Sequence, residues 1–244
     1  VVTINRESTM RLLLMSSSSV GSGAYLQSAV EMLPEFLGDT RDLLFVSYAA
    51  VAFSHQEYTA KVRTALASLD IDVRGIEEFD DPREAVSSAK AIAVGGGNTF
   101  ALVSRCQRER LFDVIRERVM AGIPYTGWSA GSNIAAPSLA TTNDMPIIEP
   151  ESFETLGLLP FQINAHYTDW VPPNHHGETR QQRLEEFLAV NPEACILALP
   201  EGSTVLVDGD RATLLGGPGA FWFEAGSRKK ELAQGYEIDL RQVK

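Results

Sequence analysis

Residues 123–131 read I-P-Y-T-G-W-S-A-G. Ile123–Trp128 is a short apolar strand, and G-W-S-A-G runs from it straight into a helical stretch. The spacing is that of the G-x-S-x-G elbow, where a strained strand–turn–helix exposes a serine hydroxyl. Flanking glycines are required there because side chains would strike the sheet and the helix. Working outward, Ala91–Val94 is a second strand that ends in V-G-G-G-N-T (94–99) before another helical pattern. Two strand-to-helix turns of this kind predict βαβ units and a parallel sheet.

The rest of the chain extends the pattern. Strands are predicted at Arg11–Ser16, Asp42–Tyr48 and Ile71–Ile76, and helices at Ala24–Phe36, Gln56–Leu69, Asn98–Glu109 and Leu111–Met120. Pro82 suits the first turn of a short helix. Pro137–Leu159 reads as a long loop, Phe161–Asn164 as a short strand, Gly177–Val190 as a helix and Cys195–Leu199 as a buried strand. Thr204–Val207, Arg211–Leu215 and Ala220–Glu224 read as successive antiparallel strands joined by tight turns at Asp208–Gly209 and Gly216–Gly217. The expected fold is one three-layer α/β/α domain over residues 10–244 with a mainly parallel central sheet. Residues 1–9 are set aside as an N-terminal extension or cloning remnant. In such sheets, sites sit at the carboxyl ends of strands.

Composition narrows the function. The 244 residues are 44% hydrophobic, enough for a sizeable core. Charge sums to −11, which speaks against a nucleic-acid groove or an anionic membrane surface. It also disfavours acidic substrates unless local arginines reverse the field. Cys106 and Cys195 stand 89 residues apart without a C-x-x-C, so a disulfide framework and structural zinc are not expected. No apolar run approaches the roughly 20 residues of a membrane helix, and the expected location is cytoplasmic.

Four features, and one cationic cluster, are candidates for chemistry. Ser129 is the nucleophile candidate at the elbow, with Ser132 a weaker rival. The glycine run 95–97 is either an oxyanion hole facing Ser129 or a plain turn capped by Asn98. It is neither a P-loop nor the dinucleotide fingerprint, because no G-K-[ST] follows and Phe100 stands at the third glycine position. Of the four histidines, His166 ends the apolar run F-Q-I-N-A and is the best placed base; His55, His175 and His176 are less favoured. Glu201, in L-P-E-G-S after a buried strand, suits the role of a carboxylate that orients a histidine, with Asp144 as rival. Arg180 and Arg183 share a helix face and form either a solvated turn or a carboxylate clamp.

Taken together these motifs resemble peptidase E, the α-aspartyl dipeptidase family of serine peptidases. The matching stretches, in order, are V-G-G-G-N-T-F (94–100), G-W-S-A-G-S-N (127–133), T-T-N-D-M-P-I (141–147), Q-I-N-A-H-Y-T (162–168), G-E-T-R-Q-Q-R (177–183), L-P-E-G (199–202) and L-G-G-P (215–218). They cover roughly Met10 to Gly226. The resemblance implies a fold like that of class I glutamine amidotransferases (flavodoxin-like) and cleavage of dipeptides with an N-terminal aspartate (Asp–Xaa), without metal or other cofactor. It implies Ser129 as nucleophile, His166 as base, Glu201 as third member, and the Gly97 and Ala130 N–H groups as oxyanion donors. The expected substrate-binding residues are Arg180 and Asn98, with Arg180 implied to receive the substrate's aspartyl carboxylate, and a homodimer is implied. The order Ser…His…Glu differs from the Ser…Asp/Glu…His of α/β-hydrolases. Residues 169–176, D-W-V-P-P-N-H-H, depart from the family, and the tail beyond Gly226 is poorly covered. Two other readings stay open: a related serine hydrolase of aspartyl-linked polymer (cyanophycinase-like), and an amidotransferase-like binding module that has lost activity.

Overall fold

The computed structural model describes residues 9–174 and 176–243. His175, and the leading segment apart from Thr9, lie outside the described residues.

Eight strands build the larger sheet. Its parallel half comprises β1 (Arg11–Met15), β2 (Asp42–Val46), β3 (Asp72–Gly75), β4 (Ile92–Val94) and β5 (Tyr125–Trp128). An antiparallel wing is formed by β8 (Thr204–Asp208), β9 (Arg211–Leu215) and β12 (Glu237–Asp239), in the overall order β12-β9-β8-β1-β5-β4-β2-β3. A second sheet of four strands holds β6 (Gln162–Tyr167), β7 (Cys195–Pro200), β10 (Ala220–Glu224) and β11 (Lys230–Leu232), in the order β11-β10-β7-β6.

The parallel strands are buried on both faces, which is why they read as unbroken apolar runs. In β1, Leu13 and Met15 pack with α1 (Gln27–Leu37) and α2 (His55–Ala65). Leu12 and Leu14 point the other way. There they meet α3 (Pro82–Ser88), α4 (Thr99–Arg108), α5 (Leu111–Met120) and one face of the second sheet. The outer face of that second sheet is covered by Leu184 and Leu188 of α7 (Arg180–Val190). Helices therefore flank the large sheet on both sides, as the α/β/α expectation required.

The C-terminal third differs from the sequence reading in its strand pairing and in its last two strands. β8 and β9 form the expected hairpin, but β10 does not pair with β9. It crosses to the second sheet and lies antiparallel to β7, with Phe223 opposite Ile196. The reason is burial on both faces: Ala220 and Trp222 face the core between the sheets, Phe221 and Phe223 face the α7 side, and β7 offers the apolar partners Ile196, Leu197 and Ala198. Strand propensity and turn glycines say nothing about which neighbour a strand chooses. The tail strands β11 and β12 also went unread.

Two register facts position the site. β4 and β5 are parallel neighbours, with Val94 opposite Gly127, so the glycine run and the elbow leave the sheet side by side. In the β6–β7 pair, Ala165 faces Leu199 and Tyr167 faces Pro200, so the register slips at His166. Ile163 lies in the core between the sheets, whereas Tyr167 packs on the α7 side. An unbroken strand would keep residues 163 and 167 on one face; the bulge at His166 shifts the phase and re-aims its side chain.

Candidate active site

Ser129 adopts φ 54° and ψ −113°, a conformation rarely open to a non-glycine residue. Its N–H donates to the Met15 carbonyl at 3.0 Å, and the next residues enter the short helix α6 (Ala130–Asn133). The flanking glycines leave room for the turn. A Cβ on Gly127 would strike the Gly131 backbone, and one on Gly131 would strike the Val94 carbonyl. Gly131→Ala is thus expected to cost about 3 kcal/mol, lowering Tm by roughly 10 °C in a scanning-calorimetry comparison. Ser132 is fully buried and its Oγ lies within hydrogen-bond distance of the carbonyls of Met15 (2.7 Å) and Gly127 (2.9 Å), which share its one O–H. It staples the elbow and is not available as a nucleophile.

His166 faces Ser129 directly. Its Nε2 is 2.9 Å from Ser129 Oγ and its Nδ1 is 3.1 Å from Glu201 Oε1. The backbone at His166 is also left-handed, φ 56°. That geometry is held by Ser16, whose Oγ accepts the His166 N–H at 2.9 Å and donates to the Leu199 carbonyl at 2.7 Å. Ser16 thereby ties the end of β1 to β6 and β7. Sequence reasoning missed it; the serine run 16–19 after β1 was the available signal.

Asp144 does not meet His166. Its carboxylate accepts the Thr99 N–H at 2.7 Å and the Thr142 hydroxyl at 3.2 Å. Asn143 Nδ2 donates to the Ala165 carbonyl at 2.7 Å, and Asn133 Oδ1 accepts the Ala165 N–H at 3.2 Å. The T-T-N-D segment thus couples the start of α4 to the strand end that carries His166. Glu201→Gln is expected to lower kcat by about 10–100-fold, less than for a buried triad carboxylate, because Glu201 is more than half exposed and water screens it. Asp144→Asn retains an acceptor and should stay within about threefold; the reverse ranking in steady-state assays would exchange the two roles.

The glycine run abuts the elbow. A Cβ on Gly96 would lie 3.0 Å from Ser129 Cβ. Gly97 has φ +138°, and a Cβ there would collide with the Ala49 carbonyl. Gly97 N–H donates to no acceptor among the described residues, and Ala130, as the first residue of α6, has an N–H with no partner inside its helix. Asn98 is the N-cap of α4: its Oδ1 accepts the Ala101 N–H at 3.0 Å, and its Nδ2 donates to the Met145 carbonyl at 2.9 Å. Both ends of that side chain are engaged within the protein.

A family model described as peptidase family S51 matches residues 12–215.

The chain belongs to peptidase family S51.

Curated relatives called peptidase E agree along nearly the whole length. One from Streptomyces coelicolor is 50% identical over 94% of this chain and 93% of its own. Another, from Shewanella amazonensis, is 48% identical over 94% of this chain and 97% of its own. The crystal structure of a peptidase from an acI-B1 Actinobacterium superposes with a TM-score of 0.71 at 18% identity, covering 96% of this chain and 98% of that one, which shows the shared fold. The S51 chain is a peptidase, a hydrolase of the serine dipeptidase kind.

In this S51 peptidase the G-E-T-R motif is a helix start. Thr179 is the N-cap of α7 and closes a capping box with Gln182, so Arg180 is the first helical residue. Arg183 lies 3.7 Å from Glu178. Arg180 is half-buried and its guanidinium makes no ion pair or hydrogen bond among the described residues. Desolvation pulls its pKa below the ordinary arginine value, Arg183 adds to that, and the Asp144 carboxylate opposes it. His55 Nδ1 contacts the Ser47 carbonyl at 3.2 Å and its ring meets Tyr48, away from the elbow; His176 is exposed.

Proposed function

We propose that this peptidase hydrolyses dipeptides with an N-terminal aspartate through an acyl-enzyme on Ser129. The reading rests on the line Ser129 Oγ–His166–Glu201, 2.9 and 3.1 Å, at the apex of a strained strand–turn–helix. His166 takes the Ser129 proton as the hydroxyl attacks the Asp–Xaa carbonyl, and Glu201 holds the ring and stabilises its charged form. The Gly97 and Ala130 N–H groups receive the oxyanion, each such donor being worth about 3 kcal/mol. His166 then protonates the leaving amine, and water hydrolyses the aspartyl ester by the same route. Arg180 takes the substrate's aspartyl carboxylate. A partly desolvated cation that makes no ion pair or hydrogen bond among the described residues gains from an anion that completes its hydrogen bonds.

Asp–Leu and Leu–Leu dipeptides, incubated with the enzyme and analysed for free amino acids, test the reading. Release of aspartate from Asp–Leu with Leu–Leu intact is expected. Cleavage of Leu–Leu alone, or of aspartyl polymer in preference to the dipeptide, would overturn it.

The same proposal carries three further elements. Residues 10–244 act as one domain, supported by a buried cluster that runs from Met10 to Leu240 across both sheets. The enzyme works as a homodimer, which sedimentation equilibrium checks. It resides in the cytoplasm, in keeping with two buried, unpaired cysteines; among the described residues no helix is long and apolar enough to cross a membrane.

A further inference from the structure

Beneath the glycine run lies a tyrosine that the reaction does not use. Tyr58, on α2, is 4% exposed. Its hydroxyl donates to the Gly96 carbonyl at 2.9 Å and accepts the Trp128 indole N–H at 3.1 Å. Tyr25 adds a longer O–H donor at 3.4 Å. The ring is wedged edge-on against Phe45 and Phe53, with centroids 4.9 and 5.2 Å away. The hydroxyl therefore has little freedom to move.

The carbonyl it holds belongs to a particular peptide. In a trans peptide the C=O of one residue and the N–H of the next lie in one plane and point in opposite directions. Fixing the Gly96 oxygen therefore fixes the direction of the Gly97 N–H. That restraint is needed here because two glycines flank the peptide, and glycine backbone rotates at little steric cost. On either side the chain is pinned by other means: the 94–95 peptide by its Gly95 N–H on the Val46 carbonyl (3.1 Å), and the 97–98 peptide by its Asn98 N–H on the Ala49 carbonyl (3.0 Å). The 96–97 peptide has Tyr58. A carbonyl that accepts a hydrogen bond also polarises its amide and strengthens the N–H as a donor.

We infer that Tyr58 is a positioning residue that aims the Gly97 N–H at the oxyanion formed on Ser129. Trp128, the residue before Ser129, donates to the same hydroxyl, so one oxygen sets the glycine run and the elbow relative to each other. This inference rests on the reading of Ser129 and Gly97 given under the proposed function. It adds a buried residue that touches neither substrate nor nucleophile.

The test uses Tyr58→Phe in the full-length enzyme, which keeps the ring and removes the hydroxyl. Three quantities are measured against the parent: kcat and KM for Asp–Leu, inhibition by an aspartyl aldehyde, and inhibition by free aspartate. The aldehyde adds to a serine nucleophile and puts an oxyanion in the hole, whereas aspartate does not. The expected result is a kcat lower by about tenfold with KM within about twofold. The aldehyde constant should weaken by the same factor and the aspartate constant should not change. Trp128→Phe keeps the stack on Phe45 (5.6 Å, 5° between planes) and removes the donor that holds the Tyr58 oxygen. It should show the same split with a smaller effect, and it stands in if Tyr58→Phe does not fold. A kcat and aldehyde constant within about twofold of the parent in the folded variants would overturn the inference. So would equal weakening of aldehyde and aspartate, which marks a general loosening of the site. If the parent releases no aspartate and binds no aldehyde, the proposed function itself has failed, a result distinct from a failed Tyr58 effect in an active parent.

Discussion

Ser129→Ala is expected to lower kcat for Asp–Leu by about 10⁴-fold or more, with the fold unchanged. In the proposed mechanism the hydroxyl is the attacking atom, and His166 Nε2 is its hydrogen-bond partner at 2.9 Å. Removing it leaves only the oxyanion donors and substrate binding, which together still outpace water by about 10³-fold in enzymes of this type. Structural damage should be slight. Alanine takes the same φ of 54° as serine, and the Ser129 N–H bond to Met15 is made by the backbone. Tm within about 2 °C of the parent, with aspartate release near background, is the expected pair of results. Near-normal release by a pure variant would remove Ser129 from the mechanism.

Arg180→Ala is expected to lower kcat/KM for Asp–Leu by about 10²–10³-fold while changing any residual cleavage of a neutral dipeptide by no more than a few-fold. The range follows from a loss of about 3–4 kcal/mol for one partner of a desolvated charge pair, at 1.4 kcal/mol per tenfold. The protein carries −11 overall, so an incoming aspartyl group meets a repulsive surface and needs a local positive site. Arg180 is suited to it: half-buried, beside Arg183, and without an ion pair among the described residues. Arg180→Lys should recover only part of the loss, since an ammonium cannot make the forked pair. Equal losses on charged and neutral dipeptides would contradict the clamp and point to damage at the start of α7.

The legible parts of this protein were those written locally. Glycines 127 and 131 around Ser129 announce a turn that tolerates no side chain, and the apolar run before them announces a strand buried on both faces. The stretch G-E-T-R leads into a helix as expected, although the helix begins at Arg180 and not at Gly177, because Thr179 caps it. Strand direction and the α/β/α class followed from such pieces. The course of β10 did not, because pairing with β7 instead of β9 is decided by which apolar faces meet once helices and sheets have packed.

The site divides in the same way. Sequence by itself pointed to the candidate reacting groups and their chain order, and to the family whose motifs contain them. Which carboxylate stands behind His166 was left open between Glu201 and Asp144, and only the fold separates them: 3.1 Å to Glu201, while Asp144 is spent on the start of α4. The bulge at His166, the Ser16 bridge beneath it, and the Tyr58 hydroxyl under the Gly96 carbonyl are contacts between residues 38 to 183 positions apart or slips in strand register. Local sequence encodes turns and faces because those depend on a few neighbouring residues. The aim of a catalytic side chain depends on how distant strands close on one another, and that is settled only when the core is packed.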